Sequence, residues 1–149
     1  MKCQVVLFRN TDGFIARLIR WQTDSKYCHA ALLFNDTYLI ESTGPRGVEA
    51  RYFNKDHEEC DIFDVENLTE EDKAFVYAFA SSQRGKGYDF WGVLRFISRS
   101  RLPENDRWFC SELVFEAFRA AEVNLLDRVE PWQVAPGDLA ISPKLKLVK

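Results

Sequence analysis

The sequence is poor in histidine, in paired cysteines, in long apolar runs and in blocks of like charge, and each shortage excludes something. Its four cysteines, at 3, 28, 60 and 110, show no close paired spacing, so they read as reduced thiols and not as a disulfide framework. The stretch His57-Glu58-Glu59-Cys60 contains two metal-ligand types, but no second pair stands at structural-zinc spacing, and no metal or other cofactor is expected. No run approaches transmembrane length, and the apolar part of residues 1–9 is too short for a signal peptide. A cytoplasmic location is therefore expected, with export by another route left open. The formal net charge is −3 without any basic block, which argues against nucleic acid as a partner. Gly85-Lys86-Gly87 lacks the rest of a P-loop and reads as a helix stop. No internal repeat or low-complexity linker divides the 149 residues, so one domain over 1–149 is expected.

What is present is a globular composition, 46% hydrophobic and 14% aromatic, and a few chemically loaded residues. The stretch Trp108-Phe109-Cys110-Ser111-Glu112-Leu113-Val114 opens a helix in which Leu113, Val114, Ala117, Phe118 and Ala121 recur at helical spacing. Cys110 falls in its first turn, where unpaired backbone N–H groups and the helix dipole favour negative charge. A thiol at such a position gains thiolate character, the form that attacks carbonyl carbon. Taken alone, Cys110 also fits a small buried hydrophobe. The chain would need to supply a base.

Of the two histidines, His57 lies in a polar run that reads as a solvated loop. His29 opens the apolar run 29–34, a buried strand, and an imidazole there needs a partner or a purpose. Asn35-Asp36 is a two-residue hairpin signal. The return strand 37–41 ends in Glu41. Neighbouring strands joined this way can set Glu41 beside His29, where a carboxylate orients the ring and stabilises its charged form.

In this order and spacing, His29, Glu41 and Cys110 resemble the permuted papain-like thiol hydrolases, and within the NlpC-type superfamily the YiiX/YebB-like branch. The segments Ile15-Ala16-Arg17-Leu18-Ile19-Arg20-Trp21, Tyr88-Asp89-Phe90 and Pro136-Gly137-Asp138-Leu139 fit as well, so the resemblance covers nearly the whole chain. It implies an α+β fold in which a small antiparallel sheet packs against helices and the nucleophile sits at a helix N-terminus. It also implies a Cys110–His29–Glu41 triad acting through an acyl-enzyme on an amide, in a peptide or cell-wall peptide. Two other readings stand beside it: a lipid acyl hydrolase or acyltransferase using the same cysteine, and a silent binding module of the same fold. The oligomeric state is not legible.

Along the chain the pattern predicts a strand over 3–8, then a helix over 13–22 capped by Asp12, with Phe14, Ile15, Leu18, Ile19 and Trp21 buried and Arg17 and Arg20 wet. Further strands are expected over 48–51 and 60–65, the latter with Ile62 and Phe63 out of phase, so its buried face stays open. Thr69 with three acidic residues opens a helix to about residue 84, with Phe75, Val76, Phe79 and Ala80 inward. Residues 88–97 read as a short helix or turn, and Arg95, Arg99 and Arg101 as a basic, solvated patch. Pro131 and Pro136 mark a loop, and 144–148 a last edge strand.

Overall fold

The computed structural model describes residues 1–9, 13–89 and 106–148. Its frame is a six-stranded antiparallel sheet in the order β4-β3-β2-β1-β5-β8. The strands are β1 (Cys3–Phe8), β2 (His29–Phe34), β3 (Tyr38–Thr43), β4 (Gly47–Tyr52), β5 (Cys60–Val65) and β8 (Leu145–Leu147). Two short strands, β6 (Gly87–Tyr88) and β7 (Arg107–Trp108), pair in parallel beside it. The helices are α1 (Phe14–Thr23), α2 (Glu70–Ser82), α3 (Cys110–Ala120) and α4 (Pro136–Ala140). The fold is α+β, as expected.

Period-two alternation divides the sheet into two apolar faces. Val5, Leu7, Ala30, Leu32, Ile40 and Phe63 point to one side, where α2 and α3 cover them with Val76, Ala80, Leu113, Val114, Ala117 and Phe118. Val6, Phe8, Ala31, Leu33, Leu39 and Ile62 point to the other and close over Phe53. Both Ile62 and Phe63 are buried, one on each face, which is why their phase was unreadable from the pattern. The α3 stripe is complete and wider than expected, since Phe115 is buried too. Truncating a residue such as Phe118, fully enclosed in this core, costs roughly 3–5 kcal/mol.

Local signals explain the connections. Asn35 and Asp36 both take positive φ, 51° and 63°, and close the β2–β3 hairpin as a primed turn. Thr69 and Asp72 form a reciprocal capping box at the start of α2, with bonds of 3.1 and 2.8 Å. Asp12 lies outside the described residues, and α1 has Gly13 at its N-cap with no side-chain cap. The side chains of Phe14 and Ile15 lie outside the described residues; among the described ones two apolar assignments fail. Trp21 is 74% exposed and Phe75 55% exposed, because the covered stripes of α1 and α2 centre on Ile19 and on Val76 and Ala80. Pro131 and Pro136 do not mark a plain loop: each opens a short helical turn, at the first position, where its missing N–H costs nothing. Tyr88 lies in a strand and Asp89 just after it, while 90–97, with Arg95, Arg99 and Arg101, lie outside the described residues.

Candidate active site

The site forms where the ends of β2, β3 and β4 meet the start of α3. His29 is the first residue of β2 and sits opposite Phe8 of β1, their rings 5.4 Å apart between centroids. Its Nε2 lies 2.6 Å from Glu41 Oε2. The Cys110 side chain is the second hydrogen-bonding partner of the ring. The structure thus brings together all three side chains singled out in the sequence. His57 lies on an exposed 3-10 turn, Lys55–His57.

Cys110 is the first residue of α3 and is 1% exposed. Three ties place it. The Glu112 carboxylate accepts the Phe109 N–H at 3.4 Å, the Ser111 hydroxyl donates to the Val134 carbonyl at 2.6 Å, and the Ser42 hydroxyl donates to the Trp108 carbonyl at 2.7 Å. Because Ser42 follows Glu41 directly, the last bond links the carboxylate strand to the segment that leads into the cysteine. Alternation points Ser42 to the α3 side of the sheet while Glu41 points to the other. Sequence reasoning overlooked this hydroxyl, since a serine beside a catalytic candidate carries no distinctive spacing.

The electrostatics are those of alternating charges. Burial by itself would push His29 toward the neutral form, but negative charge at Cys110, then the Glu41 carboxylate, hold its pKa up at about 10. Burial would likewise raise Glu41, yet the His29 hydrogen bond and charge, followed by those of Arg51, hold it down at about 2. Tyr88 is pushed up, first by burial and then by negative charge at Cys110 and Asp89.

Beside the pair opens a cavity of about 610 Å³, lined in part by Phe8, Ala16, Ile19, Tyr88, Arg46 and Glu58. His29 and Glu41 are in its wall. Cys110 is not among the described residues lining it; it lies just behind, packed with Ile19 and Tyr88, which are. Among the described residues no group of three or more His, Cys, Asp or Glu could hold a metal ion, and no helix is long and apolar enough to cross a membrane. None of the four cysteines forms a disulfide.

The chain is similar to a protein called probable lipoprotein peptidase YaeF, from Escherichia coli (strain K12). The two are 26% identical over 168 residues, an alignment that takes in 90% of this chain and 61% of the relative. The chain therefore spans about three fifths of that relative's length. No protein-family model matches the sequence. The alignment extends across most of the described elements, so the similarity is not confined to one local motif.

Two further residues belong to the constellation and were missed in the sequence. Arg51 Nε donates to Glu41 Oε1 at 2.5 Å. Its Nη1 and Nη2 donate to the two oxygens of Glu58 at 2.7 and 2.8 Å. The Arg51 guanidinium is pushed to still higher pKa, chiefly by Glu58 and then by Glu41.

Proposed function

We propose that this chain is a cysteine-dependent hydrolase of permuted papain-like design, a single catalytic domain that cleaves an amide bond in a peptide or cell-wall peptide. The observation that carries the reading is the imidazole of His29 held between the Glu41 carboxylate and the Cys110 thiol. Structural histidines rarely need both a buried carboxylate and a helix-start thiol as partners of the ring. The YaeF relative's printed name, a peptidase, supports the same reaction class.

The steps follow from the atoms. Cys110 and His29 stand as a thiolate–imidazolium pair whose positive charge Glu41 stabilises. The sulfur attacks the carbonyl carbon, and the carbonyl π electrons move to oxygen. The Cys110 N–H, a helix-start donor without an intrahelical acceptor, serves that oxyanion. The intermediate collapses, the C–N bond breaks, and the leaving amine takes the proton from His29. Water then gives its proton to His29 and its oxygen to the thioester, and the C–S bond breaks, releasing a carboxylic acid and restoring the thiolate–imidazolium pair. Nothing in the sequence requires a metal.

A lipid acyl substrate is the second reading, favoured by the apolar part of the cavity wall, Phe8, Ala16, Ile19 and Tyr88. Product analysis with peptide amides and with acylated lipids separates the two. Cys110→Ala must abolish turnover in either case, and retained turnover overturns both. The sequence reading expects the cytoplasm, while the relative is named a probable lipoprotein peptidase; cell fractionation decides the compartment.

A further inference from the structure

We propose that Arg51 is a positioning residue of this site: locked by Glu58, it fixes the Glu41 carboxylate that orients His29. The inference rests on the catalytic reading above and extends it to two side chains outside the Cys110–His29–Glu41 set.

A glutamate reaching from a strand has three side-chain torsions, so burial alone does not hold it in one orientation. Glu41 has only 3% of its side chain exposed, and each of its oxygens needs a donor there. Oε2 receives His29 Nε2 and Oε1 receives Arg51 Nε. With both oxygens engaged from fixed directions, the carboxylate plane cannot turn away from the imidazole. Arg51 could itself swing, but Glu58 grips its other two nitrogens in a fork-to-fork pair. The Phe8 ring lies against the same guanidinium, 5.9 Å from Cζ to centroid. A lysine could supply the charge and not the geometry, because it is a point donor on a flexible stem.

The sheet register makes this arrangement available. Arg51 pairs with Leu39, two residues before Glu41 on β3, so Arg51 and Glu41 are diagonal neighbours on one face. Among the described residues, the charged and titratable groups around Glu41 are His29 from β2, Arg51 and Glu49 from β4, Arg46 from the loop before β4, Glu58 from the segment before β5, and, across the site, Cys110 of α3 and Tyr88 of β6. Glu49 is occupied by Arg46 at 3.0 Å and by the Thr43 hydroxyl at 3.3 Å. Within this set Arg51 is the cation, besides His29, that touches Glu41.

The test is the pH dependence of Cys110 alkylation by iodoacetamide in the full chain, for wild type, Arg51→Ala, Arg51→Lys and Glu58→Gln. Without the guanidinium, Glu41 takes up a proton more readily and His29 loses its counter-charge at mildly acid pH. The acid limb of the Arg51→Ala profile should move up by about one pH unit, a loss of roughly tenfold in rate on the limb itself. Arg51→Lys and Glu58→Gln should move it by less, in the same direction. A uniform loss at every pH with an unmoved limb, in a variant of native circular dichroism, overturns the proposal and leaves Arg51 as a tie between β4 and the 58 segment. If Arg51→Ala does not fold, Glu58→Gln carries the test, and an unmoved limb there overturns it. If a His29→Ala control alkylates at Cys110 with the wild-type rate and profile, the catalytic reading falls and this inference with it.

Discussion

Glu41 meets His29 on the diagonal of the β2–β3 ladder and not directly across it. The residue opposite Glu41 is Ala31, two positions beyond His29 on β2, and the carboxylate crosses to the ring at 2.6 Å. A methyl group at Ala31 leaves the space over which the glutamate extends. The primed turn at Asn35 and Asp36 sets that register, so a reverse turn far from the chemistry fixes the distance between acid and imidazole.

Removing members of the set should have unequal effects. Cys110→Ala is expected to abolish turnover, and Glu41→Gln to lower kcat by roughly tenfold or more through a poorly held imidazole. His57→Ala should leave kcat/KM near wild type, because that ring is exposed and makes no contact with Cys110, His29 or Glu41 among those described. Steady-state kinetics on an amide substrate measure all three.

The His29 imidazole should stay protonated far above the ordinary value of 6.5, toward about 10, in a carbon-13 or nitrogen-15 NMR titration of the wild type. Burial opposes that charge, and negative charge at Cys110 is the largest influence supporting it. Cys110→Ala should therefore lower the His29 ionisation markedly. An unchanged titration would mean that the sulfur and the ring do not interact.

Acid stability follows from Glu41. Its pKa is depressed in the folded chain, from 4.5 to about 2, so its contribution is fully present above about 4.5 and is lost as pH falls through about 2. Glu41→Gln should be less stable than wild type at neutral pH, by roughly 3 kcal/mol, since it breaks a buried pair. The deficit should shrink between pH 4.5 and 2. Denaturant titrations across that window read the difference directly.

At Gly47 the backbone takes φ +69°, and an added Cβ would lie 2.1 Å from the Lys86 carbonyl oxygen. Gly47→Ala should destabilise the fold by more than about 1 kcal/mol. It should also loosen the seam in which Val48 N–H donates to Lys86 at 2.8 Å and Gly85 N–H donates to Val48 at 2.9 Å. Chemical denaturation and amide exchange at Val48 and Gly85 check this.

The hairpin and the cysteine helix were legible because each carries a local signal: Asn35-Asp36 between apolar strands, and an apolar stripe that begins just after Cys110. Arg51 was hidden because its role depends on the β3–β4 register, and the connection through Thr43-Gly44-Pro45-Arg46 bears no two-residue turn that would set it. Glu58 was hidden in a polar run that resembled solvated loop, where only the position of its partner distinguishes it from Glu59. Trp21 and Phe75 were misplaced for a different reason. Periodicity tells which residues share a helix face, while how wide a strip the sheet covers is a tertiary matter.

The measurement that bears most directly on the site is the rate of alkylation of each cysteine against pH, read by peptide mass spectrometry in wild type and His29→Ala. Cys3 serves as an internal standard for a thiol without a base, since burial pushes it up to about 12. A working pair predicts that Cys110 reacts selectively well below the free-thiol value of about 8.5, and that His29→Ala removes the advantage. Alkylation of Cys110 no faster than that of Cys3, Cys28 and Cys60, or a rate indifferent to His29, would contradict it.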